Sequence, residues 1–493
     1  MKGELFAVMK PGMKCKLLLS WLALFFSAGI KAQVVSDKGI VLPKAADFYR
    51  MPEIDSANHP VLIRAINIFG NKKTKQALID REIAVNTGVF YPDNELKKQI
   101  RLSKEQLMNT ALFVGVDIKI DTLLPGEIDL NIYVKERWYL FPLPHFKIVD
   151  RNLNVWINDY KASLDRTELG AKIVHNNLTG RNDKMNLFLI GGYSQQVNAN
   201  YYRPYIDKKL RQGLGFGFSF ARSREVNYAT DSNRQQFFSM PEFARKYMKG
   251  ELVYSYRKGS KMRSSLKASF TKDNMDSAII ALNPNMFGKG RTTATFLDIL
   301  ANYQYFNVDY IPYPLRGWLV DFYALHRFSK EVPMTQIGGK MLATWRFAPK
   351  TYLNFQSSFA FTLSSIEQPY YNSRMLGYRS LYLQGLEYYV ADGSLATMLR
   401  TTLRHEVLKF TVKNILRSKS HNEIPFRFFV KTYGNLGYAY NKNPGNNYMN
   451  NQLLSTAGFG LDILTIYDLV LKLEYSYNQF GEKGFFIHTA TDF

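Results

Sequence analysis

Cysteine is almost absent: the 493-residue sequence holds one, Cys15. That excludes a disulfide-built fold and any thiolate zinc centre. Histidine is scarce as well, with seven residues and no His-x-x-x-His or His-Glu-x-x-His spacing, so no metalloprotease helix is written here. No Gly-x-Ser-x-Gly elbow occurs, and Gly288-Lys289-Gly290-Arg291-Thr292-Thr293 has the wrong spacing for a phosphate loop. No enzyme, metal or cofactor is expected. Long apolar runs are also missing beyond Leu17 to Ile30, which excludes a multispan helical membrane protein. Acidic residues are outnumbered, 41 Asp and Glu against 64 Lys and Arg, for a net charge of +23.

Aromatic side chains are what the sequence has in excess: 35 Phe, 32 Tyr and 5 Trp, or 15% of residues. Aromatic-rich chains of polar average suit strands with two unlike faces. The start reads as an export signal. Lys10, Lys14 and Lys16 precede the apolar run, and Ala32 is a small residue before a cleavage point. The run is shorter than the ~20 residues a spanning helix needs. Cleavage after Ala32 removes Cys15 and leaves a cysteine-free exported chain. Export also excludes nucleic acid as a partner by compartment.

Residues 33–60, with Pro43, Pro52 and Pro60, read as a linker. A compact α+β pattern follows over 61–137. Val61 to Phe69 is a β-branched run closed by Gly70-Asn71. Thr74 is placed to cap a first helix through Leu78 and Ile83. A second helix follows Pro92-Asp93, with Leu96, Ile100, Ser103 and Leu107 at helical spacing. Strands Val114 to Asp121 and Ile128 to Lys135 complete β-α-α-β-β.

From Phe146 to the end the pattern is alternation without helix. Leu214, Phe216 and Phe218 alternate with Gly215, Gly217 and Ser219, and Leu469, Leu471, Leu473 and Tyr475 with Lys472, Glu474 and Ser476. A soluble sandwich alternates too, but these segments are long and their apolar faces end in Tyr or Phe, as in an aromatic girdle. Sixteen segments are expected over 146–493, the first near 146, the sixth near 234 and the last near 484. The 348 residues of this region give about 22 per strand plus connection, room for the ~9–11 residues of a spanning strand. The expectation is an all-β transmembrane barrel of sixteen antiparallel strands, with one long outward connection near 366–394. The last face carries Phe485, Ile487, Thr489, Thr491 and the terminal Phe493, and Phe485, Ile487 and Phe493 are read as a C-terminal assembly signal.

These segments resemble a known family. Ile66-x-Ile68-x-Gly70-Asn71, Leu112-Phe113 and Tyr133-Val134-x-Glu136 look like a polypeptide-transport-associated (POTRA) domain. A barrel directly after one resembles the BamA/TamA superfamily of outer-membrane assembly and secretion proteins. Asn177-Leu178-Thr179-Gly180-Arg181, Tyr202-Arg203-Pro204-Tyr205 and Pro314-Leu315-Arg316-Gly317 resemble that family's turns. The resemblance implies a loop folded into the lumen, its tip arginine pinned by acidic residues of neighbouring strands. Here the tip reads Gly377-Tyr378-Arg379, so Arg379 is the latch candidate, with Arg374 second. Glu406 matches the acidic partner, Arg404 shares its lumenal face, and Asn435 stands where the family's second acid would be.

The family also implies location and clients: a Gram-negative outer membrane, with the POTRA domain in the periplasm. Unfolded outer-membrane or secreted polypeptides, membrane lipid with lipopolysaccharide, and accessory subunits are then the expected partners. Two functions stay open. In one, the small domain captures client strands by β-augmentation and the barrel passes them to a seam or through its lumen. In the other, the barrel is a passive channel or structural porin with a docking domain. A seam is expected between the first and last strands. Asp150, Arg151 and Asn152 interrupt the first strand's apolar alternation, and Gly484 weakens the start of the last.

Overall fold

The computed structural model describes residues 60–148, 161, 163–363, 368–378, 381–413 and 423–489. The small domain opens with β1 (Val61–Phe69), α1 (Gln76–Glu82), β2 (Phe90–Tyr91) and α2 (Asp93–Asn109). It closes with β3 (Phe113–Leu124) and β4 (Glu127–Glu136). The sheet order is β2-β1-β4-β3, with β1 parallel to β4 and β3 antiparallel to it. Leu96, Ser103 and Leu107 form the buried stripe of α2, the periodicity expected of an amphipathic helix. Ser103 fits a core because its hydroxyl donates to the Gln99 carbonyl and accepts from the Ala84 N–H. Thr74 does not cap α1: the N-cap is Lys75, without a side-chain bond. Its hydroxyl instead meets Tyr139 and Asn177.

Sixteen strands then form one antiparallel sheet in near-sequential order. They are β5 (Leu140–Ile148), β6 (Thr167–Asn176), β7 (Lys184–Gly192), β8 (Gln195–Arg203) and β9 (Gln212–Ser223). A separate hairpin, β10 (Glu225–Asp231) and β11 (Arg234–Ser239), intervenes. The wall resumes with β12 (Arg245–Tyr256), β13 (Met262–Met275), β14 (Thr293–Val308), β15 (Gly317–Ser329), β16 (Met334–Ala348) and β17 (Thr351–Leu363). The short pair β18 (Arg374–Leu376) and β19 (Ala391–Asp392) lies in the long connection. The last wall strands are β20 (Leu395–Lys413), β21 (Glu423–Tyr440), β22 (Leu453–Leu464), β23 (Val470–Asn478) and β24 (Lys483–His488).

The strand number agrees with expectation; two positions move. The first wall strand starts at Leu140, not near 146, and takes in Pro142 and Pro144. The segment near 234 is the added hairpin, and the sixth wall strand is β12. The hairpin alternates as a wall strand does, which is why pattern alone did not separate them.

The distribution of polarity identifies the solvent outside the wall. Leu214, Phe216, Phe218, Leu252, Leu266, Phe270, Val430, Leu436 and Phe459 point outward and are exposed, while Asn354, Gln356, Arg404, Lys431, Asn435, Asp462 and Glu474 are buried inside. A soluble barrel would have the opposite arrangement; a transmembrane one has this. No described helix is long and apolar enough to cross a membrane. At the near end, where the chain enters from the small domain, connections are mostly turns. Gly317 closes one at φ +100°, where a Cβ would stand 1.9 Å from the Asn307 carbonyl oxygen. At the far end several connections are long. There the β10–β11 hairpin, helix α3 (Ser277–Leu282) and the 364–394 connection pack around Ile279, Met286, Phe287 and Phe296.

Candidate functional site

The first feature is the seam. β5 pairs with β6 and β24 with β23, and no described residue of β5 pairs with β24. The two strands are edges of one sheet. The Tyr139 carbonyl accepts from Asn176 N–H at 2.7 Å, so odd-numbered residues of β5 address β6. In an antiparallel strand alternate residues address opposite neighbours, which turns Leu140, Pro142, Pro144 and Phe146 toward the seam. Proline has no N–H, so two of these four positions offer no donor. Prolines are tolerated on edge strands for this reason.

The seam is tied at its near end by side chains. Arg137 donates two hydrogen bonds to Asp468, at 2.7 and 2.9 Å, and the Tyr310 hydroxyl donates to the same carboxylate. Tyr467, beside Asp468 before β23, accepts from the Trp138 N–H and meets Phe141 edge to face at 5.5 Å. Neither Arg137 nor Asp468 stood out in the sequence, since nothing local marks a contact across 331 residues. The gate residues Asp150, Arg151 and Asn152 lie outside the described residues, as does Phe493. Gly484 opens β24 opposite Ser476, and Phe485 and Ile487 face outward from it.

The second feature is a charged hub in the lumen. Lys431 Nζ is 2.5 Å from both Asp462 and Glu474, and all three side chains are at most 2% exposed. Asp462 also receives the Tyr313 hydroxyl at 2.8 Å, and Arg404 approaches it at 3.8 Å. Glu474 takes the Gln384 amide at 2.5 Å and contacts His488 of β24 at 2.8 Å. Gln384 belongs to the long connection, which lays Met375, Leu376, Leu383, Leu386 and Tyr389 against inward residues of β17 and β20–β22. That connection grips the last two strands elsewhere too. Tyr389 donates to Glu482 at 2.6 Å, Asn478 donates to the Gly385 carbonyl at 3.0 Å, and the Tyr388 ring meets Phe486. At the far mouth Asn233, between β10 and β11, bonds Val390 of the connection and Met449 of the 441–452 segment. Strands from opposite parts of the wall are thereby interlocked.

The latch candidates divide. Gly377 adopts φ +87° against the Tyr389 carbonyl, and the Tyr378 hydroxyl donates to Asp392 at 2.8 Å. Arg379 lies outside the described residues. Glu406 accepts two hydrogen bonds from Arg427, at 3.2 and 2.7 Å, so its described partner is not the loop. Asn435 donates to Thr456. The described loop-to-wall contacts include Gln384, Glu387 and Tyr389, and Arg400 of β20 donates to the Tyr382 carbonyl of the loop. Glu387, Glu474 and His488 bring ligand atoms within 4.8 Å, but Lys431 and Gln384 already occupy Glu474.

The small domain docks on the near-end turns. Lys75 N–H donates to Gly180, Arg81 and Arg257 meet at the Tyr205 hydroxyl, Arg257 pairs with Glu82, and Asn109 accepts from Ile311 N–H at 2.9 Å. Burial pushes the Tyr139 hydroxyl up to about 12, so it remains a protonated donor to the Leu112 carbonyl. Among the described residues, β3 (Phe113–Leu124) is an edge of this domain's sheet, with β4 as its one strand neighbour.

Residues 61–137 match the family model described as POTRA, surface antigen variable number repeat. This segment is a POTRA domain. No curated protein matches the sequence. Solved structures similar to the chain include BamA from Haemophilus ducreyi lacking POTRA domains 1–3, at 15% identity over 87% of this chain and 83% of that one, TM-score 0.46. CdiB from Acinetobacter baumannii is 12% identical over 87% and 74%, TM-score 0.42. CdiB from Escherichia coli is 8% identical over 99% and 98%, TM-score 0.46. At such identities the likeness concerns fold, and no function is taken from it. The domain order is one POTRA domain and then a sixteen-stranded antiparallel sheet.

Proposed function

We propose that this protein sits in the outer membrane of a Gram-negative bacterium and assembles or translocates other polypeptides. The POTRA domain faces the periplasm, and its β3 edge takes up an extended client segment by strand addition, which reads backbone and tolerates many sequences. The client passes to the β5–β24 seam, where it pairs with an exposed strand edge and enters lipid sideways. The observation that supports this reading is the seam itself: among the described residues β5 and β24 do not pair with each other, and two β5 positions that address the seam are prolines. An unpaired edge is a template for another strand.

The interlocked far mouth favours the sideways route over a passive channel, because Asn233 joins opposite parts of the wall across the lumen. The test is a disulfide lock. With Cys15 replaced, cysteine pairs are placed with one member in 140–148 and the other in 483–488, then oxidised in the membrane. A pair that forms should stop the appearance of newly made barrels in the outer membrane, and reductant should restore it. A locked protein that still supports normal outer-membrane composition would refute lateral opening.

A further inference from the structure

The near-end connection between β20 and β21 is unlike the other turns. β20 continues eight residues past His405, its last partner position with β17, and β21 begins four residues before Arg427, its last partner position with β22. The result is a two-stranded ribbon in which 406–413 project beyond β17 and 423–426 beyond β22. An isolated ribbon is marginal in water, so something beyond its own ladder must hold it.

Its two faces are unlike. A bulge falls between Glu406 and Leu408. Up to it, the odd-numbered residues of β20 face outward, as Leu403 does. Beyond it the even-numbered ones share a face with Phe428, which follows the outward parity of Val430 and Leu436. The extra residue re-aims the strand, and Leu408, Phe410 and Val412 stay on the outer side where Lys409 and Lys413 would otherwise stand. Partner positions complete this face: Phe428 opposite Leu408, Phe426 opposite Phe410 and Ile424 opposite Val412. The three phenylalanine rings stack, with Phe410 5.6 Å from Phe426 and 5.7 Å from Phe428. Leu408 is half exposed and Phe410 and Val412 nearly so. Lys409 and Lys413 occupy the reverse face.

We propose that this ribbon is a foot seated in the headgroup and upper acyl region of the periplasmic leaflet, its occupant being phospholipid. The inference rests on the outer-membrane reading above. Continuity selects lipid over a protein partner: the apolar face is the same column of outward positions that forms the lipid-facing wall at Leu403 and Val430, prolonged past the rim. Aromatic rings favour the membrane interface, and lysines on the other face suit anionic headgroups. The foot stands three strands from the seam strand β24 and would fix the depth of that side of the barrel.

The test uses the full chain with Cys15 replaced, reconstituted in phosphatidylethanolamine–phosphatidylglycerol vesicles. Single variants Phe410→Cys, Phe426→Cys, Leu403→Cys and Lys409→Cys carry an environment-sensitive fluorophore, and lipids brominated near the headgroup serve as quenchers. Only variants that keep an unboiled folded band on a gel are compared. The expected result is a blue-shifted emission with lipid quenching at 410 and 426 comparable to 403, and weaker quenching at 409. Quenching at 403 without quenching at 410 and 426 would overturn the foot and leave the barrel standing. No quenching at 403 would remove the barrel reading, and the foot with it.

Discussion

The hub at Lys431 makes a quantitative demand. Lys431→Met removes the one ammonium lying 2.5 Å from two carboxylates that are at most 1% exposed. Asp462 keeps the Tyr313 hydroxyl and a guanidinium at 3.8 Å; Glu474 keeps Gln384 and His488. Two like charges then face each other in a desolvated site. Stripping one partner from a buried pair costs ~3–5 kcal/mol. The variant should therefore unfold earlier in guanidinium, followed by tryptophan fluorescence in detergent, and its folded gel band should be lost at lower temperature. Removing the charges together, in Lys431→Met with Asp462→Asn and Glu474→Gln, should recover much of that loss, because polar side chains of similar shape remain without an unpaired charge. A loss below ~1 kcal/mol in the single variant, the size of a surface pair, would refute the claim that the hub is a dry, shared-charge centre.

The closed sheet should make the unboiled protein migrate faster than the boiled one on a denaturing gel; identical migration would remove the barrel. Arg137→Ala and Asp468→Ala should each loosen the near end of the seam and be non-additive, with a coupling of ~0.5–3 kcal/mol in a double-mutant cycle; additive losses would make their contact incidental. Phe485→Lys or Ile487→Lys, outward on β24, should cost up to ~2–4 kcal/mol according to depth and lower the folded fraction recovered from membranes. Glu406→Ala should match Arg427→Ala in stability, since these two share hydrogen bonds; a match to Arg379→Ala instead would restore the loop latch read from the sequence.

Alternation exposed the wall because each strand meets two unlike solvents, and period-2 patterning is local. Leu214 to Phe220 and Leu469 to Tyr477 could be read without knowing their neighbours. What failed was what depends on neighbours. Pro142 and Pro144 would not fit a sheet interior, but β5 is an edge and they sit where no N–H is needed for β6. Hairpin β10–β11 carries the same period as a wall strand and differs only in what it pairs with. The hub joins Lys431, Asp462, Glu474 and His488 from four successive strands. Parity alone put them inside, yet their shared height depends on register, which is not local. Arg137 and Asp468 meet because the sheet has curled, a property of all sixteen strands together.

The two sides of the seam are not held alike, and this sets where it opens. β24 has six paired residues with β23 and the His488–Glu474 contact between the same two strands, and the long connection adds Glu387–His488, Tyr388–Phe486 and Tyr389–Glu482 to its support. β5 receives its described cross-seam support at one end, through Arg137, Trp138 and Phe141 against Tyr467 and Asp468. The POTRA domain reinforces that end, because it grips turns after β6, β8, β12 and β14 while Arg137, its last residue, reaches across to the turn before β23. Separation at the near end therefore requires breaking a bidentate ion pair and shifting the docked domain. Among the described residues, separation at the far end of β5 breaks neither of these contacts. Opening should start at the far end with the POTRA domain still docked and run toward Arg137, so that Arg137→Ala lengthens the opening instead of starting it.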